Sequence, residues 1–508
     1  MRVLIFHGYL LHGTGSNVYN ANLAQALARL GHEVHLLCQE RTAGELEWVD
    51  RLGRWEGGAL RMEDLRSQEA EGSVTVYVPE IGGLLPVYVR DEYEGFRVKE
   101  FPELSEDELD AYLRANVDAV AEVAEHAGGA DAALANHLVM GPAILARAGL
   151  RFAAKVHGSA LEYTVKPNPR FIPYAREGAE RAEAVLVGSR HTAESLWTAL
   201  PDLELEAKTR LGPPGVDTSE FAPRDPAEGG RALVSLAERV ERREGAAFGR
   251  DRERAAAAIR HFAAGEGPRV VFVGKLIVSK GIDLLLAAWP LVHAAHPEAR
   301  LLVAGFGAFD ETAQELVAAL ARGDLSRAQE IAVAGRGLEG GPAGALPILS
   351  GFLDDPPPGY LEAAGPAAEA LAFSGRLDHD EVAELLPFAE ALVMPSTFPE
   401  AFGMVAVEAA ACGALPVSAA HSGMLEVSRE LAAALPGEVA GLLSFEIAPG
   451  AVEAIAERLN GWLSLDEQVR SRAREALVET VRRLWSWEGV ARGVLSAAQG
   501  QIDDIPSP

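Results

Sequence analysis

The same local order opens each half of this 508-residue chain: a short apolar run, a glycine-bearing loop, then a helical pattern. In the first half, Val3 to Phe6 leads through HGYLLHGTGSN into helical periodicity from about Val18 to Leu30. Gly31 stops that helix, and Val34 to Cys38 is a second apolar run. In the second half, Val270 to Val273 leads through Gly274-Lys275-Leu-Ile-Val-Ser-Lys280-Gly281 into a helix from Ile282. Strands that are apolar without alternation, with helices between them, are buried on both faces and pair in parallel. The order predicts an α/β chain with two Rossmann-like, doubly wound sheets. The first loop lacks the third glycine of a dinucleotide fingerprint, because Val18 stands there. No acidic residue ends the second strand before Gln39, so a nicotinamide oxidoreductase is disfavoured.

Charge disfavours further classes. With 46 Lys and Arg against 74 Asp and Glu, the formal net charge is −28. Sequence-independent nucleic-acid binding needs basic grooves, and docking on anionic lipid needs a basic surface. Cys38 and Cys412 cannot build a disulfide framework, so a reducing, cytoplasmic setting is expected, with Cys412 a small buried apolar residue. The opening MRVLIFHGYLLHG has no cleavage site and reads as a buried strand rather than a signal peptide. No apolar run is long enough to span a bilayer, and no integral membrane segment is expected.

Further along, Val74 to Pro79 reads as a strand, and the acidic stretch Asp91 to Asp110 as a solvated face. Ser105 and Glu108 form a capping box that opens a helix to about His126. His137 follows one strand. His157 ends another, at the carboxyl edge where such sheets bind ligands. Ser189 and Thr192 are as readily helix caps as ligands. Proline and glycine clustering at Leu211 to Asp217 marks a boundary. The expected layout is a first domain over 1–224, a charged helical linker over 225–267 and a second domain over 268–470 with an insertion near 308–369. C-terminal helices over 471–508 follow, anchored by Trp485 and Trp487, with QIDDIPSP as a disordered tail.

The richest stretch is Phe398 to Leu425. Glu400 and Glu408 sit on one loop-to-helix unit with seven residues between them. Were the whole span helical, the carboxylates would lie about 12 Å apart. That is too far for an acid and base flanking one bond, but it suits two ends of an elongated ligand. Gly403 lets backbone approach that ligand, and the amides at the helix start favour an anion. Lys275 and Lys280 are compact charges suited to a diphosphate. Asp378-His-Asp380 matches a metal-binding DxD pattern, but N-capping explains it and no metal site is expected.

Glu400 and Glu408, with AFGMVAV between them, resemble the Glu-x7-Glu motif of family-4 retaining glycosyltransferases of the GT-B fold. The resemblance implies two Rossmann-like domains facing a central cleft. It implies that Glu400 holds donor-sugar hydroxyls beside the backbone amides of Phe402, Gly403 and Met404, and that Glu408 holds the nucleotide ribose. Gly13 and Gly15 would face the donor pyrophosphate, and His157 the donor sugar beside its reacting carbon. Gly375, Arg376 and Leu377 would lie near the nucleobase. Lys275 and Lys280 resemble the family's phosphate clamp, with Lys275 where arginine is usual; charge is kept and a bidentate grip is lost. His421-Ser-Gly423 departs from the family's glycine-rich turn. The implied reaction is hexosyl transfer with retention, from a UDP-, GDP- or ADP-sugar to a glycan, lipid or small solute, needing no cofactor and no protein nucleophile. A GT-B sugar phosphorylase, a nucleotide-sugar epimerase and a bilobed sugar-binding protein are the alternatives.

Overall fold

Val3, Leu4, Ile5 and Phe6 are each exposed by 2% or less, as a strand covered by helices on both faces must be. They belong to a computed structural model that describes residues 1–13, 15–66, 72–88, 95–243, 251–339 and 344–508. The chain divides into two units. One is Met1–Gly215 with Trp485–Pro508; the other is Val216–Leu484.

The first unit holds β1 (Arg2–Phe6), β2 (Glu33–Leu37), β3 (Arg51–Glu56), β4 (Ala59–Asp64), β5 (Ser73–Val78), β6 (Leu84–Val87), β7 (Arg97–Glu100), β8 (Ala132–Asn136), β9 (Ala153–Lys155), β10 (Ala184–Val187) and β11 (Thr209–Leu211). Nine of them form one sheet in the order β11-β10-β9-β8-β1-β2-β5-β3-β4. All pairings are parallel except the β3–β4 hairpin at the edge. From β1 the chain builds outward in one direction, then returns and builds outward in the other from β8. The loops leaving β1 and β8 therefore part, opening a crevice at the carboxyl ends.

The second unit repeats this logic. Its strands are β12 (Arg269–Val273), β13 (Arg300–Ala304), β14 (Leu371–Gly375), β15 (Ala391–Met394), β16 (Leu415–Ala419) and β17 (Ser444–Phe445). They lie in the order β14-β13-β12-β15-β16-β17, all parallel. The switch point falls between β12 and β15, which are the strands that lead into the two-lysine loop and the Phe398–Leu425 stretch.

Several expectations about the outlying segments are corrected. Segment 225–267, read as a charged helical linker, does hold the helices Gly229–Arg242 and Arg252–Ala263, but they belong to the second unit. Leu233, Leu236, Ile259 and Phe262 are buried there; the alternating charges mark only the outer faces. Within 308–369, the helix Tyr360–Glu369 packs on the helix Ile282–Ala295, where Trp289 Nε1 donates to Ala367 O at 2.9 Å and Tyr360 Oη to Ala287 O at 2.9 Å. The helix Glu467–Leu484 stays with the second unit, and Trp487–Ala498 joins the first. Trp487 is buried there against Tyr19, ring centres 5.4 Å apart. The terminal segment is ordered rather than loose: Leu211 N donates to Pro506 O at 2.7 Å, Arg210 Nε donates to Ile502 O at 2.9 Å, and Ile505 is buried. Of the acidic stretch, 91–94 lie outside the described residues. Ser105 and Glu108 do cap the helix Glu106–His126 reciprocally. No helix among the described residues is long and apolar enough to cross a membrane.

One glycine holds the second switch point closed. Gly281 has φ +66°, and a Cβ there would stand 1.9 Å from Pro395 O on the loop after β15. Gly281→Ala should therefore destabilise the second unit by about 3 kcal/mol, read as a lower urea midpoint. Gly351→Ala, where a Cβ meets nothing within 4 Å, should leave that midpoint unchanged or slightly raised.

Candidate functional site

At the switch point of the second unit, Lys280 Nζ donates to the Glu400 carboxylate. Ser396 Oγ donates to the same oxygen at 2.6 Å. The pair joins the loop after β12 to the loop after β15. Thr397 N donates to Ser279 O at 2.9 Å beside it. The segment read as a departure from pattern completes the fastening. His421 Nε2 lies 2.8 Å from Ser396 O, an acceptor, so this nitrogen carries the proton. Nδ1 is then left to accept from Ser422 Oγ at 3.1 Å, and Ser422 Oγ accepts from Glu400 N at 2.9 Å. Gly423 N donates to Glu400 O at 3.0 Å, and a Cβ on Gly423 would meet Ala401 O at 2.6 Å. Glu400 is thus held at its amide, carbonyl and carboxylate.

The helix Met404–Ala411 starts at Gly403, whose φ of +118° no ordinary side chain favours, and no side chain caps it. Phe402 and Gly403 are buried and Met404 is half-buried, so the helix start is fixed within the unit. Glu408, one turn further on, is 4% exposed. Its Oε1 lies 2.9 Å from His379 Nε2. Of the remaining expected residues, Lys275 is exposed on the loop after β12, whose Leu276 N donates to Phe306 O at 2.8 Å. Gly375 ends β14 with φ +69°. Arg376 lies over the Phe306 ring at 5.8 Å and pairs with Asp378 at 3.3 Å; Leu377 is half-buried. Asp378 forms a capping box with Glu381 on the helix His379–Leu385, and Asp380 takes Arg243 at 2.8 Å. Among the described residues no cluster of His, Cys, Asp and Glu is arranged to hold a metal. A cavity of about 500 Å³, lined in part by Arg269, Glu390 and Cys412, lies at the opposite, amino-terminal edge of this sheet, away from Lys280 and Glu400.

In the first unit, the crevice between β1 and β8 is filled by a chain of amides and imidazoles. His157 Nε2 donates to Asn136 Oδ1 at 2.8 Å, because Asn136 Nδ2 is committed to Asn20 Oδ1 at 2.7 Å. Asn20 Nδ2 donates to His7 Nδ1 at 3.0 Å, so His7 carries its proton on Nε2, 2.9 Å from Asn17 Oδ1. Burial holds His7 down to about 4. Burial, with His137, Lys155 and His7 nearby, holds His157 well below the usual imidazole range. The Lys155 ammonium, buried and donating to Gly212 O at 2.5 Å, is lowered to about 7 by burial. His137 has φ +67° and packs against Tyr88 and His157, ring centres 4.7 and 4.9 Å away. Gly13 has φ +92° with open space where a Cβ would go, and Gly15 begins the helix Gly15–Arg29; Thr14 lies outside the described residues. Ser189 caps the helix Arg190–Ala199 by accepting from Thr192 N.

Glu40 fastens the glycine loop to the end of β2. This buried carboxylate accepts from His12 Nδ1 at 2.8 Å, Leu11 N at 3.1 Å and Thr42 Oγ1 at 2.7 Å. Sequence reading gave no role to Glu40, Asn20, Asn136, His379 and Ser396, and took Asn17 only as part of the glycine loop. Asn136, immediately before His137 at a strand end, was the one signal available.

Three family models match the chain: Glycosyltransferase Family 4 over residues 13–220, and Glycosyl transferases group 1 over residues 267–336 and 364–480. A GDP-mannose-dependent alpha-(1-6)-phosphatidylinositol monomannoside mannosyltransferase of Mycolicibacterium smegmatis is 29% identical over 221 residues. That match takes in 42% of this chain and 46% of the relative, so the chain spans less than half of the relative's length. Sucrose-phosphate synthase from Thermosynechococcus elongatus superposes with a TM-score of 0.52 at 18% identity, over 97% of this chain and 96% of that one. Anabaena HepE, in complex with UDP and glucose, gives 0.57 at 14% identity over 98% and 99%. At such identities the likeness shows the fold alone, which is GT-B.

Glu40 yields a pH test. Burial would raise its pKa, but the hydrogen bonds from His12, Thr42 and Leu11 hold it down to about 2. A depressed folded-state pKa adds stability, here about 3 kcal/mol. That contribution is whole above the ordinary value of 4.5 and lost as pH falls toward 2. In Glu40→Gln, the urea midpoint should be lower than wild type at neutral pH and should fall less steeply across that acid window.

Proposed function

Because the chain belongs to the group 1, family-4 glycosyltransferases of the GT-B fold, we propose that it moves a hexosyl group from a nucleoside-diphosphate sugar to a hydroxyl acceptor with retention at the anomeric carbon. The observation that carries this reading is the Lys280–Glu400 pair at the switch point of the second unit. There a cation and a carboxylate, both partly exposed, stand side by side at the place where such sheets bind ligands. A donor answers both at once. Its diphosphate satisfies Lys280 and Lys275, and its sugar hydroxyls satisfy Glu400.

As the bond from the anomeric carbon to the diphosphate oxygen breaks, its electron pair stays on the diphosphate. Lys275, Lys280 and the uncapped amides at the start of Met404–Ala411 stabilise that charge. The acceptor oxygen bonds to the anomeric carbon, and its proton goes to the departing phosphate. Metal independence is supported by Asp378 and Asp380, which are engaged in capping and in an ion pair with Arg243. In the first unit, His157 offers a neutral, hydrogen-bonding imidazole suited to hydroxyls at the carboxyl edge of its own sheet. Its Nε2–H is spent on Asn136, so Nδ1 remains as an acceptor. Glu408 takes the ribose hydroxyls, which leaves the base to the Gly375–Leu377 segment.

The Mycolicibacterium relative is named for GDP-mannose and a phosphatidylinositol monomannoside, and HepE was solved with UDP and glucose. GDP-mannose with a lipid-borne glycan, then UDP-glucose, are therefore the first pairs to try, before ADP-sugars and small solutes.

The test is thermal stabilisation by UDP, GDP, ADP and their sugar conjugates without added metal. Saturation near 100 Kd adds about 2.7 kcal/mol of stability. One nucleotide should raise the midpoint by several degrees, and Lys280→Ala and Glu408→Ala should each abolish the shift. Stabilisation by inorganic phosphate and by no nucleotide would replace this reading with a sugar phosphorylase.

A further inference from the structure

Glu408 is a carboxylate on an alanine-rich helix, and almost none of it reaches solvent. A buried carboxylate is costly unless something hydrogen-bonds it. Among the described residues the side chain that does so is His379, Nε2 to Oε1 at 2.9 Å. His379 is itself held on three sides. It is the first residue of the helix His379–Leu385, whose start is fixed by the reciprocal Asp378–Glu381 cap. Its ring lies against Phe221, centres 4.9 Å apart. Its other flank faces Glu408. The imidazole can therefore fix the plane of the carboxylate while taking only one of its two oxygens.

A ribose presents two neighbouring hydroxyls, both donors, to whatever recognises it. A carboxylate meets both well only if its plane is set beforehand and it stays ionised. We propose that His379 is a positioning residue for ribose recognition: its Nε2 holds Glu408 so that the carboxylate can accept both hydroxyls of a nucleoside diphosphate. The inference rests on the reading of Glu408 as the ribose ligand.

The electrostatics agree with this geometry. Burial alone would lower the His379 pKa, but the Glu408 carboxylate opposite it, joined by Glu220 and by Asp380 on its own helix, carries it above the ordinary imidazole value. Arg243 partly offsets Asp380 and Glu381, which it contacts at 2.8 and 3.3 Å. The pair therefore favours the protonated imidazole. Its attraction is lost as pH rises through the raised histidine value.

Calorimetric Kd values for UDP, GDP and ADP should be compared with those for their 2′,3′-dideoxy forms. Wild type should bind the ribonucleotide about tenfold or more tightly than the dideoxy form. His379→Ala should bring that ratio close to one while leaving dideoxy binding unchanged, and His379→Gln, which keeps an N–H donor, should restore most of it. The wild-type ratio should decline with rising pH, and the Gln variant's should not. A wild type that does not discriminate between the two forms would sink the ribose reading of Glu408 itself. Discrimination that survives in His379→Ala would overturn the role of His379 and leave Glu408 standing. Should the Ala variant not fold, a Gln variant with the wild-type pH dependence would overturn it equally.

Discussion

An ion pair between Lys280 and Glu400 holds together the loop after β12 and the loop after β15 at the second unit's switch point. Neither group is fully in water: their side chains are 30% and 21% exposed. Alone, each would carry a desolvation cost; together they offset it and draw the loop after β12 onto the loop after β15. Much of the surrounding detail exists to permit that contact. Gly281 removes the side chain that would strike Pro395, and Ser396 supplies a third hydrogen-bonding group. His421 and Ser422 brace Glu400 from behind. The contact is consequently already made within the folded unit. Under the proposed function, a donor exchanges these partners for its own diphosphate and hydroxyls.

The carboxyl edge of the first unit's sheet is built differently. Where the second unit sets charges, the first sets neutral imidazoles and amides. His7, His137 and His157 are all pushed toward the neutral form by burial, and the asparagines fix which nitrogen of His7 and His157 carries the proton. A neutral imidazole suits hydrogen bonding to sugar hydroxyls rather than stabilisation of an anion. The contrast follows from composition at each switch point: lysine and glutamate in one unit, histidine and asparagine in the other.

How much of this was legible in the sequence depends on the separation of the partners. Both sheets were, because Val3 to Phe6 and Val270 to Val273 are uniformly apolar and each is followed by glycine and a helix. The Ser105–Glu108 box was legible because both partners lie within one turn. The Lys280 and Glu400 positions were readable as motifs, yet their mutual contact was not, since 120 residues separate them. The His7–Asn20–Asn136–His157 chain was invisible for the same reason; its members meet only once β1 and β8 pair. Charge alternation over 225–267 misled, because it describes the outer faces of helices whose inner faces bury Leu233 and Phe262. The polar terminal residues looked unstructured, but their backbone is bonded to β11.

A crystal structure of the protein with a nucleoside-diphosphate sugar tests the central claim most directly. The account predicts that Lys280 Nζ leaves Glu400 and comes to about 3 Å from a diphosphate oxygen, with the Glu400 carboxylate turned onto sugar hydroxyls. A donor bound elsewhere, with the Lys280–Glu400 pair intact, would contradict it.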